Sequence, residues 1–141
     1  MTNPLNQIQL PAEIGSLRAI TEFVHRGAQA AAFPESDLGR LDLVMEEVVV
    51  NVINYAYPEG EPGNIDVSYA IEVPGKLFVQ VSDAGREFDP LAKDPPDLRL
   101  GLAERPIGGL GIFLVKRIAR SISYNRVDNR NVLTFRLEAE S

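Results

Sequence analysis

The chain has 141 residues, of which 45% are hydrophobic and 24% charged, and it contains no cysteine. This length suits one domain with a substantial core, so we expect a single domain over residues 1–141 that needs no structural metal. The absence of cysteine excludes a disulfide scaffold, a thiolate zinc site and a cysteine nucleophile. The formal net charge of −6 argues against direct binding to nucleic acid or to acidic membranes.

The sequence also lacks the patterns that direct a protein to or through a membrane. Its first ten residues have neither the basic region nor the apolar stretch of a secretory signal. No apolar stretch is long enough to cross a bilayer. We therefore expect a cytoplasmic protein.

The first half of the chain predicts two helices. A short apolar stretch around Ile8–Leu10 is typical of an edge strand, and residues 11–32 have the spacing of an amphipathic helix. The segment 34–37 (PESD) ends that helix and offers an N-cap for a second one over about 37–57. The β-branched centre of this second segment also suits a strand, but a run of about twenty residues without a breaker exceeds the usual strand length.

The second half predicts two hairpins separated by a loop and a helix. Residues 64–73 and 76–82 alternate in polarity on either side of Pro74-Gly75, which predicts a hairpin with one buried face. The other predicted elements are a proline-rich loop over 90–107, a helix over 109–120, and a closing hairpin over 121–127 and 131–138 around Asp128-Asn129. The fold class is therefore α+β, a two-layer sandwich with a mixed, mostly antiparallel sheet and helices on one face.

Three polar features interrupt these hydrophobic patterns. The first lies on the second helix, where Arg40, Glu47, Asn51 and Asn54 fall within about 60° of one another and are flanked by valines. They form either a hydrogen-bonded, half-buried helix face or a carboxylate and an amide aimed at one ligand. In the second case Asn51 offers an oxygen to Mg²⁺, and Glu47 accepts a proton from an attacking hydroxyl.

The second feature is Asp83, which ends a strand and is in phase with its buried residues. An unpaired carboxylate at such a position costs several kcal/mol, so donors must meet it. Asp83 is either hydrogen-bonded to the amides of the following turn or an acceptor for an exocyclic amine such as that of adenine. Gly85, two residues later, permits close approach of a ligand to the backbone.

The third feature is a glycine cluster, Ile107-Gly108-Gly109-Leu110-Gly111, at the start of the third helix. Exposed amides at a helix N-terminus bind anions, and glycines let phosphates come close. The cluster fits neither a P-loop nor a dinucleotide-binding fingerprint, and a closely packed hinge is the alternative interpretation.

In this order along the chain, the three features resemble the GHKL (Bergerat-fold) ATPase superfamily. Within that superfamily, this short single-domain chain is similar to the anti-sigma-factor serine kinases of bacterial partner switching, whose ATPase domain is histidine-kinase-like. The segment EVVVNVINYAY from Glu47 matches the N box, and VSDAGREFDP from Val81 matches the first glycine box. The second glycine box matches IGGLGIFLV from Ile107, and NVLTFR from Asn131 resembles the closing strand.

The resemblance implies a role for each matching residue. Glu47 would be the catalytic base, Asn51 the Mg²⁺ ligand, and Asp83 the residue that reads adenine, with Gly85 beside it. Residues 90–107 would be the ATP lid, in which Arg105 or Lys93 is available to face the phosphates; a solvated loop charge is the alternative interpretation of each. The other residues implied to bind the nucleotide are Asn54, Tyr55, Gly108, Gly109, Leu110, Gly111 and Thr134, although strand alternation opposes Thr134 to Leu133 and Phe135.

The same resemblance implies ATP and Mg²⁺ as cofactors and a serine or threonine protein kinase activity. The phosphoacceptor would be an anti-sigma-factor antagonist protein, and a sigma factor would be sequestered, so that the protein regulates transcription; a homodimer is compatible with this family. Three departures from its pattern are Glu87 in place of a glycine, Tyr55 in place of a histidine, and no arginine directly before the second glycine box. The alternative function is an ATP-binding adaptor that regulates a protein partner without phosphoryl transfer.

Overall fold

An antiparallel sheet and three helices make up the part of the chain that the computed structural model describes, which is residues 6–57, 61–92 and 109–140. The strands are β1 (Asn6–Pro11), β2 (Asn64–Val73), β3 (Lys76–Asp83), β4 (Ser121–Val127) and β5 (Arg130–Glu138). The helices are α1 (Leu17–Ala30), α2 (Leu38–Tyr55) and α3 (Gly109–Ile118), with single 3-10 turns at Ile14–Ser16, Glu35–Asp37 and Pro90–Ala92.

The strands are ordered β1-β2-β3-β5-β4, and each neighbouring pair is antiparallel. The predicted parallel component of the sheet is therefore absent from the described strands. Both predicted hairpins are confirmed, and their turns have the expected backbone. Gly75 has φ 81°, and Asp128 and Asn129 have φ 50° and 62°, the left-handed conformation that a two-residue hairpin turn requires.

The helix predictions hold, with one shift at a boundary. Residues 38–55 form a helix despite their β-branched centre, as their length indicated. α1 begins at Leu17 and not at Pro11, because Pro11 ends β1 and is paired with Asn64 of β2. No helix of the described ranges is long and apolar enough to span a membrane.

The helices pack on one face of the sheet, as predicted, and enclose a single hydrophobic core. Inward residues alternate along the central strands, for example Val79 and Val81 of β3 and Phe135 of β5, and all of them are buried. They pack in one cluster with Val44, Met45, Val48, Val49 and Val52 of α2. The predicted inward phase of β2 fails at Val73, which is 49% exposed, because the register shifts between Ile71 and Val73.

A close joint ties the end of α2 to the turn after β3. The Arg86 N–H donates to the Ala56 carbonyl (2.8 Å), and Arg86 Nε donates to the Tyr55 carbonyl (2.7 Å). The Tyr57 hydroxyl accepts the Ala84 N–H (3.0 Å) and donates to the Asn64 carbonyl (2.7 Å). These contacts satisfy carbonyls that a helix C-terminus leaves free and fix α2 relative to Asp83.

Candidate functional site

A small cavity lies where α2, α3 and the ends of β3 and β5 meet. Its volume is about 20 Å³, room for a water-sized sphere. Among the described residues, α2, α3 and the two strands supply most of its wall, and the segment after β3 supplies Phe88 and Pro90. The described residues that line the cavity are Val48, Asn51, Val52, Val81, Asp83, Phe88, Pro90, Ile112 and Leu133.

Asn51 is the polar residue that α2 contributes to this cavity. Its side chain is 3% exposed, and neither its amide nitrogen nor its amide oxygen has a hydrogen-bond partner among the described residues. Burying such a group without a partner costs about 1–3 kcal/mol. Buried polar groups that lack a partner need an explanation, and a ligand in the cavity supplies one here. Of the two interpretations of the polar stripe, the geometry of Asn51 favours ligand binding over a hydrogen-bonded helix face.

Asp83 ends β3 on the opposite side of the same cavity and is 3% exposed. Its Oδ1 accepts the Gly85 N–H (2.9 Å) and an Asn131 Nδ2 proton (2.8 Å), so donors meet the carboxylate as predicted. Within the described chain no donor reaches Oδ2. Burial raises the pKa of Asp83, and the bonds from Asn131 and Gly85, with the charges of Arg130 and Arg126, partly offset that rise. One carboxylate oxygen is thus anchored by two donors, and the other has none among the described residues.

Asn131 is a site residue that the sequence analysis missed. It lies directly opposite Asp83 in the β3–β5 register and is buried. Besides Asp83, its amide bonds to Arg86, Phe88, Tyr124 and Arg126. The register of the two strands, counted back from the closing hairpin, is the signal that would have paired it with Asp83.

Thr134 does not lie at this cavity. It is three residues beyond Asn131 on β5, between the inward residues Leu133 and Phe135, and it pairs with Gln80 and Ser123. Alternation along a strand therefore points it away from the helices. The implied contact between Thr134 and the nucleotide is contradicted by this placement, and the alternation noted in the sequence correctly indicated it.

The polar stripe of α2 separates into different environments. Glu47, one turn before Asn51, is half-buried outside the cavity lining, and Asn54 is exposed. Arg40 belongs to another contact, because it pairs with Asp37 (2.8 Å) and Glu140 (3.4 Å). Burial first, and then the charge of Glu46, raises the pKa of Glu47, so this carboxylate is a better proton acceptor than an ordinary glutamate. Tyr55 stacks on Phe88 at the rim, with ring centroids 4.9 Å apart.

The structure gives another physical reason for a glycine at position 85, besides the predicted approach of a ligand. A Cβ at this position would lie 2.2 Å from the Ala56 carbonyl oxygen. The glycine therefore lets the turn after β3 contact the end of α2. Its N–H serves the site by binding Asp83 Oδ1.

The glycine cluster is described only in part. Gly109, Leu110 and Gly111 form the start of α3, and Ile112, next along the helix, lines the cavity. The N-terminus of α3 is therefore near Asn51 and Asp83. The first three residues of the predicted lid are described and form a 3-10 turn (Pro90–Ala92). The rest of the lid (93–107), with Lys93 and Arg105, lies outside the described residues, and so does Gly108.

The donor set fits a magnesium–nucleotide complex better than a metal held by protein alone. No group of three or more histidine or acidic side chains in the described ranges is arranged to hold a metal. Mg²⁺ commonly takes one or two protein oxygens and completes its shell with phosphate oxygens and water. The unpartnered amide oxygen of Asn51 suits that arrangement.

Comparisons with known proteins identify the family of the chain. Residues 10–137 match the family described as Histidine kinase-like ATPase domain. The chain is 31% identical over 122 residues to the serine-protein kinase RsbW of Listeria monocytogenes, covering 79% of this chain and 73% of that protein. It is 28% identical over 94 residues to the serine/threonine-protein kinase BtrW of Bordetella bronchiseptica, covering 67% of this chain and 66% of BtrW.

Solved structures show the same fold. The RsbU and RsbW domains of Rv1364c from Mycobacterium tuberculosis superpose with a TM-score of 0.65 at 16% identity, over 96% of this chain and 32% of that one. The catalytic domain of histidine kinase ThkA gives a TM-score of 0.50 at 17% identity, over 96% of this chain and 97% of that one. The chain therefore belongs to the histidine kinase-like ATPase domain family of the GHKL superfamily, and its curated relatives include the serine-protein kinases RsbW and BtrW.

Proposed function

We propose that this protein binds Mg·ATP in the cavity between α2, β3 and α3 and transfers the γ-phosphoryl group to a serine or threonine of a protein partner. The observation that carries the proposal is the buried amide of Asn51, which has no partner within the described chain. Asn51 is a turn of α2 away from Glu47, and Asp83 lies across the same cavity. The relatives named as serine-protein kinases support the reaction class.

Each residue has one task in this proposal. Asp83 Oδ2 accepts a proton of the adenine amino group, and Asn51 gives its amide oxygen to Mg²⁺. The amides at the start of α3 face the phosphates, where the helix dipole favours negative charge. Bound Mg²⁺ neutralises charge that develops on the phosphate oxygens.

Glu47 acts as the general base. It is half-buried one turn of α2 before Asn51, and its raised pKa makes it a stronger acceptor for the proton of the attacking hydroxyl. In phosphoryl transfer most of the catalysis comes from positioning and electrostatic stabilisation, so the base completes a site that α2, β3 and α3 have already assembled.

The protein partners follow from the family resemblance. We propose an anti-sigma-factor antagonist as the phosphoacceptor and a sigma factor as the sequestered protein, acting in the cytoplasm where ATP is available. The curated relatives named RsbW and a solved structure that contains RsbU and RsbW domains support this assignment. Homodimerisation is part of the same proposal.

The adaptor alternative depended on Glu87, which replaces a glycine of the first glycine box. Glu87 is exposed, and it is absent from the non-glycine residues with positive φ, which in the described chain are Ala32, Asp128 and Asn129. A glycine is therefore not needed here for backbone reasons. This observation removes the backbone argument for the adaptor.

Incubation with γ-labelled ATP, Mg²⁺ and candidate antagonist proteins tests the proposal. We expect label on a serine or threonine of one antagonist, and we expect Glu47→Gln to lose the transfer while retaining nucleotide affinity. Tight ATP binding without transfer to any antagonist would instead identify the adaptor. Thermal denaturation adds a second measurement, because Mg·ATP must raise the melting temperature if it binds the native state.

A further inference from the structure

We infer that Asn131 is a positioning residue that sets the preference for a 6-amino purine over a 6-oxo purine, by holding Asp83 with one carboxylate oxygen anchored and the other free. This inference rests on the proposed function, since it concerns how the same cavity selects its nucleotide. It goes beyond the proposed function by assigning base selection to a residue outside the cavity lining.

The amide of Asn131 is fully committed. Its Oδ1 accepts three protons, from the Phe88 N–H (3.1 Å), the Tyr124 hydroxyl (2.6 Å) and Arg126 Nη1 (3.1 Å). Its Nδ2 donates two, to Asp83 Oδ1 and to the Arg86 carbonyl, both at 2.8 Å. An amide oxygen has two lone pairs and an amide nitrogen has two protons, so these bonds use the full hydrogen-bonding capacity of the group.

These partners leave a single orientation for the amide. Exchanging its nitrogen and oxygen would turn N–H groups toward three donors and the carbonyl oxygen toward the Asp83 carboxylate and the Arg86 carbonyl. Tyr124 and Arg126, both on β4, therefore hold the donor edge of Asn131 against Asp83. Arg126 Nη1 also donates to the Gly85 carbonyl (2.9 Å), which ties the same turn from its other side.

The consequence for Asp83 is chemical. An ionised carboxylate is only an acceptor. Oδ1 already accepts two N–H groups, from Gly85 and Asn131, so Oδ2 is the atom that meets a ligand in the cavity. An acceptor in a fixed position binds the 6-amino group of adenine, and it repels the 6-oxo group of hypoxanthine, which is also an acceptor. Without the Asn131 donor only the Gly85 N–H anchors Oδ1, so the carboxylate rotates or takes up a proton more easily, and both changes weaken this selection.

ATP and ITP are suitable probes because they differ at the 6-position of the purine. Calorimetry with Mg²⁺ would measure the dissociation constants of both nucleotides for the wild type, Asn131→Ala and a control, Asn125→Ala. Asn125 lies on β4 with an exposed side chain and is outside the cavity lining. We expect the wild type and the control to prefer ATP, and we expect Asn131→Ala to lose about tenfold of that preference, the equivalent of one hydrogen bond.

A purely structural role gives a different pattern. If Asn131→Ala weakens the binding of ATP and of ITP by the same factor, the inference is wrong. The proposal that the protein binds ATP would still stand. A wild type that binds both nucleotides equally would also overturn it. A wild type that binds neither would instead contradict the proposed function.

A second variant keeps the test open if Asn131→Ala does not fold. Tyr124→Phe removes one of the three donors to Asn131 Oδ1 and leaves the bond between Asn131 and Asp83 in place. We expect a smaller loss of ATP preference in the same direction, about threefold. An unchanged ratio of the two affinities in a folded Tyr124→Phe variant would count against the inference.

Discussion

Glu47 and Asn51 are separated by one turn of α2, yet their side chains meet opposite environments. Asn51 is 3% exposed and unpartnered in the described chain, whereas Glu47 is half-buried and has the charge of Glu46 beside it. The amide therefore lies deep, where the phosphate oxygens of the proposed nucleotide would be shielded from water. The carboxylate is more accessible, as the proposed role in deprotonating an incoming hydroxyl requires.

Replacing Asn51 by leucine should stabilise the free protein while abolishing Mg·ATP binding. Leucine has a similar size and removes two buried polar atoms that lack partners, a gain of about 1–3 kcal/mol in the free energy of unfolding. Chemical denaturation measures that gain, and calorimetry measures nucleotide affinity. Asn54→Leu is the matched control, because Asn54 lies on the same helix but is exposed. The control makes the same change in helix propensity without removing a buried polar group. Unchanged Mg·ATP affinity in Asn51→Leu would refute the metal role.

Phosphoryl transfer should depend on the ionisation of Glu47. Burial and Glu46 raise the pKa of this base above its ordinary 4.5, so the rate should fall as the pH is lowered through that raised value. Glu46→Gln removes the neighbouring charge and should move the acidic limb of the kcat profile to lower pH. Glu22→Gln, an exposed acid on α1 paired with Arg18, is the control and should leave the limb in place. A profile that Glu46→Gln does not shift would contradict the assignment of the base.

Asp83→Asn should separate stability from recognition. Burial raises the pKa of Asp83 above 3.8, so the folded chain holds this proton more tightly than the unfolded chain does. The stability that Asp83 contributes is therefore greatest below pH 3.8 and is lost as the pH rises through the folded pKa. We expect Asp83→Asn to be at least as stable as the wild type at pH 7, with an advantage that disappears in acid, and to bind ATP poorly. Denaturation curves across the pH range measure this difference. A variant that is less stable than the wild type at pH 7 would contradict the prediction.

Gly85→Ala should destabilise the fold as well as the site. The added Cβ would lie 2.2 Å from the Ala56 carbonyl oxygen, and backbone must shift to accommodate it. Overpacking of this kind costs about 1–3 kcal/mol. Gly39→Ala is the control, because nothing lies within 4 Å of its Cβ position and alanine favours a helix, so this variant should be more stable by up to about 1 kcal/mol. Equal melting temperatures for the two variants would show that the joint tolerates a side chain.

Much of this architecture could be predicted because it depends on patterns within one element. The length of α2 outweighed its β-branched residues, and the alternation of β3 placed Asp83 toward the core. The phase of β5 likewise opposed Thr134 to Leu133 and Phe135, against the match to a family motif. These inferences need only the repeat of a helix or a strand.

The rest required contacts between distant segments. The pairing of Asn131 with Asp83 depends on the β3–β5 register, and the reason for Gly85 is a carbonyl 29 positions earlier, at Ala56. Arg40 matched the polar stripe by angle, but its partners are Asp37 and a residue near the other end of the chain, Glu140. Likewise, the sequence shows that Asn51 is polar. Only the structure shows that its buried amide lacks a hydrogen-bond partner among the described residues.

The joint between α2 and β3 has a consequence for how this protein can change during evolution. Arg86 binds the last carbonyls of the helix that carries Asn51, and it follows closely after Asp83. The separation between Asn51 and Asp83 is therefore set when the chain folds, before any ligand arrives. We expect one residue inserted between Asp83 and Arg86 to spare the core and the sheet order but to uncouple the end of α2 from the end of β3, so this short turn should resist changes in length.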